Sequence, residues 1–310
     1  MPLLKEGFEF LSANGTNMIK GFIIRKDNPP YKAIIQISHG MVEHMERYED
    51  FMSFMAENGY VMVGHDHLGH KASVRSDEEL GFFAEKDGYK CILDDLASTA
   101  SRTRKLFPGL KLVLLGHSMG SFYARVFASK YYNLIDGIII SGTGGTNPIA
   151  GIGKGIIKFL IKIKGSKYRS NFVANLSFNG FLSKIPNPIT KSDWISTDTE
   201  MVQKYVRDKY CSFTFTLSGF LDLVTINALS NSEECYQGFK KDIPVFIFSG
   251  ADDPVGEYGK GVTEVYEKLK AAGVSDLEFK LYKDGRHEML NEINRKDVYK
   301  DILNWADRKF

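Results

Sequence analysis

The feature that most constrains the fold is a serine between two glycines, at the point where an apolar run meets a helical pattern. Residues 111–130 read KLVLLGHSMGSFYARVFASK, with G-x-S-x-G at residues 116–120. In a strand–turn–helix context, this pattern is typical of a tight turn that exposes its serine. Gly116 and Gly120 would let the strand and the helix pack closely, with Ser118 strained at the positive end of the helix. We therefore expect Ser118 to be a nucleophile.

Strand and helix patterns alternate along most of the chain. Residues 8–27 read as two strands around Asn14-Gly15, a strong hairpin signal, so an antiparallel pair is expected to open the sheet. Further buried strands are predicted in KAIIQISHG, YVMVGHDHLGH, LIDGIIISG, DIPVFIFSG and LEFKLYKDG, with helical patterns between most of them. This alternation predicts an α/β fold, with a mostly parallel sheet covered by helices on both faces.

The alternation is interrupted by a long segment without a clear buried strand. Residues 144–238 contain apolar and basic stretches and prolines at 186 and 188. We expect this segment to be an inserted cap, between a first core part at residues 1–143 and a second at residues 239–310. A cap inserted there would cover the carboxyl edge of the sheet, where open α/β sheets bind ligands.

A nucleophilic serine needs a base and an acid that orients the base, and both are available downstream. On this type of fold the chain order is serine, then Asp or Glu, then histidine. The apolar run VFIFSG leads directly into Asp252 and Asp253, either of which could be the acid. Of the seven histidines, only His287 comes late enough to be the base.

The oxyanion that forms during acyl transfer requires backbone N–H donors. One is expected from Met119, the residue after the nucleophile, and the other from Met41 in the loop after the first parallel strand. The alternative for the His39-Gly40 segment is an ordinary turn at a strand end.

The segment H-D-H-L-G-H at residues 65–70 brings three imidazoles and a carboxylate close together in sequence. A metal site there would need a defined geometry and a supporting shell of hydrogen bonds. We favour instead a structured loop that satisfies its polar groups locally, and we expect no metal.

Taken together, these motifs resemble those of the α/β-hydrolase superfamily, in its monoacylglycerol lipase and lysophospholipase branch (serine aminopeptidase S33, hydrolase-4 type). The motifs that carry the resemblance are S-H-G-M-V-E-H, H-D-H-L-G-H, G-H-S-M-G, G-A-D-D-P-V and H-E-M-L-N-E. The resemblance implies an α/β-hydrolase fold with Ser118 as nucleophile, His287 as base and Asp253 rather than Asp252 as acid. It implies oxyanion amides at Met41 and Met119, and neither a metal nor an organic cofactor.

Two positions depart from the pattern of this family. The family often has glycine where Val42 stands, and glycine where Lys71 stands. The first departure lies in the loop that is expected to hold the oxyanion.

Composition limits the possible partners. The net charge of +2 gives no sign of a nucleic-acid-binding protein, and the three cysteines are too few and too widely spaced for a disulfide framework. The N-terminus does not read as a signal peptide, and no stretch approaches 18 uncharged apolar residues. A cytoplasmic protein is expected, one that could act peripherally at a membrane; its oligomeric state is left open.

The cap points to a lipid-like ester as substrate. Residues 152–163 read IGKGIIKFLIKI, with lysines four apart at 154, 158 and 162, and would form a helix with a basic stripe. Such a helix could lie on an anionic membrane surface, line an acyl tunnel or simply pack on the core. Further apolar material comes from Phe172, Phe178, Phe181, Trp194, Phe213, Phe215 and Phe220.

We expect a serine hydrolase that cleaves monoacylglycerol or lysophospholipid through an acyl-enzyme. The alternatives on the same scaffold are a short-chain carboxylesterase and an aminopeptidase, which could hold the ammonium of its substrate with Glu200, Glu233 or Glu234. A non-catalytic binding protein on this fold is a further alternative, although such proteins typically lack one of the three catalytic residues.

Overall fold

The fold is built on one eight-stranded sheet. A computed structural model describes residues 2–148 and 150–310 of the chain. The strands are β1 (Leu3–Leu11), β2 (Met18–Lys26), β3 (Ala33–Ser38), β4 (Val61–His65), β5 (Lys111–His117), β6 (Gly137–Ser141), β7 (Val245–Gly250) and β8 (Leu277–Tyr282). Their order in the sheet is β1-β2-β4-β3-β5-β6-β7-β8. The β1–β2 and β2–β4 pairs are antiparallel and the other pairs are parallel, which confirms the predicted hairpin and the mostly parallel sheet.

Helices connect the strands. They are α1 (Glu49–Glu57), α2 (Gly88–Leu106), α3 (Met119–Lys130), α4 (Ala150–Lys164), α5 (Asn171–Ser177), α6 (Thr199–Arg207), α7 (Leu217–Ser230), α8 (Glu233–Gln237), α9 (Lys260–Ala271) and α10 (Arg295–Lys309). Short 3-10 turns supplement them.

Both faces of the sheet are buried because side chains alternate along each strand. On β5, Leu112 and Leu114 join the core formed with α2, α3 and α9, whereas Val113 and Leu115 join the core formed with α1 and α10. A strand that is buried on both faces reads as a continuous apolar run, and the sequence of β5 has this character. The expectation of helices on both faces is therefore confirmed.

The segment between β6 and β7 holds α4 to α8, and within its described residues it contains no strand. Its α7 packs on α2 and α3 as well as on α4, so this segment is joined to the core by helix packing. The boundaries of the cap, residues 144–238, remain a prediction. Within residues 2–148 and 150–310, no helix combines the length and the apolar character needed to cross a bilayer.

Candidate active site

Ser118 lies in a strained turn between β5 and α3. Its backbone has φ 52° and ψ −122°, and residues other than glycine rarely adopt a positive φ. A Cβ on Gly120 would lie 1.9 Å from the backbone oxygen of Ser38, and one on Gly116 would lie 2.6 Å from the Cβ of Ala124. Both flanking glycines are therefore required by close packing, and the serine projects from the turn between them.

His287 and Asp253 form a buried pair in the loops after β8 and β7. Nδ1 of His287 lies 2.9 Å from Oδ2 of Asp253. The same Oδ2 accepts a hydrogen bond from the Ser249 hydroxyl at 2.9 Å, and Oδ1 accepts one from the Val255 N–H at 2.9 Å. Asp252 is exposed, so only Asp253 of the two aspartates contacts the imidazole.

The two partners of this pair shift each other's pKa values. Burial alone would lower the pKa of His287, but the Asp253 carboxylate, with smaller contributions from Glu288 and Glu43, outweighs that effect and raises the pKa above its ordinary value. Burial alone would raise the pKa of Asp253, but the imidazole and the N–H and O–H donors lower it. The carboxylate is therefore ionised at neutral pH, and it stabilises a proton on the imidazole.

His287 and Ser118 line the same cavity. The imidazole packs between the rings of His117, at a centroid distance of 4.7 Å, and Trp194, at 5.0 Å. Among the described residues, the Ser118 hydroxyl has no hydrogen-bond partner, and the imidazole of His287 is hydrogen-bonded through Nδ1 alone. Nε2 is thus the nitrogen left to approach the serine, and such contacts often tighten only when substrate is bound.

Met41 and Met119 also line this cavity. Met41 belongs to the segment of residues 38–45, which we call the oxyanion loop, and Met119 is the first residue of α3. Within the described residues, neither of their backbone N–H groups has an acceptor. The first N–H groups of a helix have no partner within the helix, and they favour negative charge.

Both departures from the family pattern occur where the backbone is left-handed. Val42 has φ 55° and Lys71 has φ 27°. A β-branched residue such as valine is a marked outlier there, whereas glycine adopts this region freely. The glycines common at these positions in the family thus match a backbone requirement that this chain meets with larger residues.

The cavity has a volume of about 620 Å³ and two chemically different walls. Of the aromatic residues singled out in the sequence, those on the cavity wall are Phe178, Phe181, Trp194, Phe213 and Phe220. Phe172 is instead exposed, and Phe215 is part of the core. The largest part of the lining is therefore apolar.

A polar corner lies beside His287. Glu43 and Glu288 line it, and the buried Arg47 guanidinium bonds to Glu288 and lies 3.7 Å from Glu43. Sequence reasoning quoted both glutamates within motifs but gave them no role. Glu288 follows the candidate base directly, and Glu43 follows the candidate oxyanion donor by two residues, so proximity in sequence was the available signal.

The segment of residues 65–70, here called the histidine loop, satisfies most of its polar groups by hydrogen bonds. Nδ1 of His65 lies 2.9 Å from the Thr99 hydroxyl, and Nε2 of His67 lies 3.0 Å from the Ser38 hydroxyl. Burial lowers the pKa of His65 to about 3 and that of His70 to about 4, so both are neutral at physiological pH. This arrangement is compatible with a structured loop, and the preference for such a loop over a metal site stays a prediction.

A different cluster has the spacing of metal ligands. One ligand atom each of His44, Asp208 and Cys211 lie within 4.8 Å of one another. However, Nζ of Lys71 lies 3.4 Å from His44 Nδ1, and the Arg47 guanidinium lies 3.9 Å from Cys211 Sγ. Burial also raises the pKa of Cys211 to about 12, so its sulfur is a thiol. Two neighbouring cations and a protonated thiol disfavour a metal ion here.

Comparisons with known proteins find lipases and an esterase that are similar to this chain. The chain is 26% identical to human monoglyceride lipase over 282 residues, covering 90% of this chain and 83% of that protein. It is 24% identical to a monoglyceride lipase homolog of monkeypox virus over 276 residues, covering 88% and 89% of the two chains. A crystal structure of a thermostable carboxyl esterase from Bacillus coagulans in complex with glycerol superposes with a TM-score of 0.92 and 27% identity, covering 100% of this chain and 99% of the esterase.

The match to a known family extends over most of the chain. A sequence model of the family described as serine aminopeptidase, S33, aligns with residues 29–294, which include the serine turn, the buried histidine–aspartate pair and both candidate oxyanion donors. Together with the eight-stranded, mostly parallel sheet, this match shows that the chain is an α/β-hydrolase of the serine aminopeptidase S33 family.

Proposed function

We propose that this protein is a serine hydrolase that cleaves carboxylic esters of lipid-like substrates, monoacylglycerol or lysophospholipid, through an acyl-enzyme on Ser118. The observation that carries the proposal is the buried His287–Asp253 pair, with Nδ1 and Oδ2 2.9 Å apart, on the wall of the cavity that also exposes Ser118. A serine hydroxyl is a weak nucleophile at neutral pH unless a base accepts its proton.

In the first half-reaction, Ser118 attacks the ester carbonyl while Nε2 of His287 accepts the hydroxyl proton. Asp253 accepts the Nδ1–H of the imidazole throughout, so the neutral ring carries its lone pair on Nε2, and the imidazolium is stabilised when it forms. The backbone N–H groups of Met41 and Met119 donate to the oxyanion. His287 then returns the proton to the leaving alcohol, and the acyl group remains on the serine.

The second half-reaction reverses these roles with water. Nε2 of His287 accepts a proton from water as the oxygen attacks the acyl carbonyl, and the same two N–H groups stabilise the second oxyanion. When this intermediate collapses, the proton on His287 passes to the oxygen of Ser118, and the fatty acid leaves.

The cavity supports an acyl chain as the larger part of the substrate. Its wall is mainly apolar, and each CH₂ buried against such a wall contributes roughly 0.8 kcal/mol to binding. The polar corner at Glu43 and Glu288 lies beside His287, which is where the leaving alcohol must take up its proton. The monoglyceride lipases among the relatives support the same substrate class, and so does the esterase solved with glycerol.

An aminopeptidase requires acidic groups near the scissile bond to hold an ammonium. Glu200 is exposed and paired with Lys204, and Glu233 and Glu234 are exposed; none of the three is among the described residues that line the cavity. Three acidic residues do line it: Glu43 and Glu288, beside His287, share the buried cation Arg47, and Glu257 is exposed. This arrangement favours an ester over an aminoacyl substrate.

Parallel assays of three substrate classes test the proposal. Purified protein is given monoacylglycerol or lysophospholipid in mixed micelles, short p-nitrophenyl esters, or aminoacyl amides, with Ser118→Ala as control. We expect the long-chain esters to have the highest kcat/KM, and Ser118→Ala to abolish turnover. Hydrolysis of aminoacyl amides alone would refute the proposal. Absence of all turnover in folded protein would favour a binding protein.

We also propose that residues 144–238 act as the cap, and that α4 makes transient contact with an anionic membrane surface. Ile152, Phe159 and Ile163 share one face of α4 and are 69%, 62% and 59% exposed, and exposed lysines lie along the same helix. An exposed apolar face beside lysines is typical of helices that lie on anionic lipid. Co-sedimentation with anionic vesicles should exceed that with zwitterionic vesicles and fall in a Phe159→Ser/Ile163→Ser variant. Equal sedimentation with both vesicle types contradicts this contact.

A further inference from the structure

Four hydrogen bonds join the histidine loop (residues 65–70) to the oxyanion loop (residues 38–45). The Val42 N–H donates to Nε2 of His70 at 3.3 Å, and the Met45 N–H donates to Oδ1 of Asp66 at 2.8 Å. The backbone N–H of His67 donates to Nε2 of His39 at 2.8 Å. The fourth contact joins the side chains of Ser38 and His67 at 3.0 Å.

These contacts control the peptide that carries the Met41 N–H. Because Nε2 of His39 accepts the His67 N–H, the ring proton of His39 lies on Nδ1. This Nδ1–H donates to the Gly40 carbonyl at 2.8 Å. The Gly40 C=O and the Met41 N–H belong to one planar trans peptide and point in opposite directions. Fixing the carbonyl therefore fixes the direction of the Met41 N–H.

The neighbouring N–H groups on both sides of Met41 are bonded to side chains. The Gly40 N–H donates to Oε1 of Glu43, which also accepts the Tyr48 hydroxyl at 2.7 Å. The Val42 N–H donates to His70, as described above. Within the described residues, the Met41 N–H thus has no acceptor, although the N–H groups of Gly40 and Val42 on either side of it are both hydrogen-bonded.

His70 is suited to accept because its tautomer is fixed. Its Nδ1 lies 3.2 Å from the Leu68 carbonyl, which can only accept, so the proton lies on Nδ1 and Nε2 carries a lone pair. Burial keeps the ring neutral by lowering its pKa to about 4. The contact with Val42 also falls on the residue whose left-handed backbone, φ 55°, needs external support.

We propose that three residues of the histidine loop, Asp66, His67 and His70, position the oxyanion hole, and that His70 is a positioning residue that holds the Met41 N–H toward the substrate through its hydrogen bond with Val42. His70 lies outside the cavity lining and acts on the reaction only through the loop. The inference rests on the proposed esterase function, and it gives a role to a motif that the mechanism does not otherwise use.

The test replaces His70 so that the acceptor of the Val42 N–H is lost while the packing of the ring is kept. His70 is surrounded by the rings of Phe83, Phe213 and Phe215, so His70→Phe should fit this aromatic environment. The matched control is His65→Phe: His65 is equally buried and belongs to the same loop, but it bonds to Thr99 and not to the oxyanion loop. His70→Gln restores an acceptor close to the position of Nε2.

Steady-state hydrolysis of a p-nitrophenyl ester and inhibition by a trifluoromethyl ketone, which forms an oxyanion on the serine, provide the readouts. A misplaced oxyanion donor should lower kcat of His70→Phe by roughly 10- to 100-fold with little change in KM, and weaken the ketone by a similar factor. His65→Phe should keep kcat close to wild type, and His70→Gln should recover most of the loss.

A folded His70→Phe enzyme with wild-type kcat would overturn the inference. So would a His65→Phe enzyme that loses as much kcat as His70→Phe. If His70→Phe shows no cooperative thermal transition, His70→Met and His70→Gln are compared instead, and equal kcat values overturn the inference. A wild-type protein without ester hydrolysis contradicts the proposed function itself, which keeps the two failures distinct.

Discussion

Replacing Asp253 by asparagine should change both the rate and the pH profile of the proposed reaction. Oδ1 of Asp253 accepts the Val255 N–H, so the oxygen of an asparagine is expected to keep that position. The new NH₂ then takes the place of Oδ2, which faces Nδ1 of His287 at 2.9 Å and the Ser249 hydroxyl at 2.9 Å. Because an NH₂ group can only donate, Nδ1 must accept and the ring proton moves to Nε2. A protonated Nε2 cannot accept the proton of Ser118.

The magnitude follows from two losses. Restoring the productive tautomer would place two donors face to face in a buried site, which costs about 1–3 kcal/mol. The imidazolium formed during catalysis also loses its neighbouring carboxylate. Together these losses predict a fall in kcat/KM of roughly 10³- to 10⁴-fold, or about 4–5.5 kcal/mol of barrier.

The pH profile should move in a defined direction. In the wild type, the carboxylate raises the pKa of His287 above its ordinary value, so kcat/KM should rise with pH through a pKa above about 6.5. Without the carboxylate, burial is the largest remaining effect and lowers this pKa against the smaller opposing effects of Glu288 and Glu43. The acid limb of the Asp253→Asn profile should therefore lie at lower pH than that of the wild type.

The assay is kcat/KM for a p-nitrophenyl ester between pH 4.5 and 8, and Asp252→Asn is the matched control because Asp252 is adjacent but exposed. Asp252→Asn should leave the rate and the profile close to wild type. An Asp253→Asn enzyme with an unchanged acid limb and nearly wild-type activity would refute this account of the pair.

Two further predictions concern packing and ionisation. Gly120→Ala should prevent stable folding because its Cβ would lie 1.9 Å from the Ser38 oxygen. Gly153→Ala is the control: its Cβ would have nothing within 4 Å, and the change should stabilise the protein by about 0.5–1 kcal/mol. Thermal unfolding compares the two variants, and a Gly120→Ala protein that melts like wild type contradicts the packing. Burial against the first turn of α2 raises the pKa of Asp222 to about 7, above its value near 3.9 in the unfolded chain. Ionisation of Asp222 therefore destabilises the folded state increasingly from about pH 4 to pH 7. The stability of Asp222→Asn relative to wild type, from urea unfolding, should therefore grow by about 2–3 kcal/mol between pH 5 and pH 8, and an unchanged difference would contradict this sign.

The sequence was informative where local pattern determines structure. The apolar run of β5, the glycines at 116 and 120 and the helical pattern of α3 predicted the strand–turn–helix at Ser118, because all three signals are local in sequence. The close contact that requires Gly120 is with the distant Ser38 and was not visible in that pattern. The Asn14-Gly15 hairpin and the parallel strands were predicted for the same reason. The choice of Asp253 over Asp252 came from the family resemblance, and the contact with His287 agrees with it.

Features that depend on distant contacts could not be derived from the sequence. The bond between Val42 and His70 joins two loops 28 residues apart, and the left-handed backbone at Val42 is unexpected for a β-branched residue. Similarly, Trp194 was identified only as apolar material, yet its ring packs against that of His287 at a centroid distance of 5.0 Å. The helices between β6 and β7 pack according to tertiary contacts that short amphipathic patterns do not specify.

The central claim, that Ser118 is the nucleophile activated by His287, is tested most directly by covalent labelling with a fluorophosphonate, followed by peptide mapping in a mass spectrometer. The account predicts one adduct per chain, on Ser118, formed much more slowly in His287→Ala and absent in Ser118→Ala. Folded wild-type protein that remains unlabelled, or an adduct on a different residue, would contradict it.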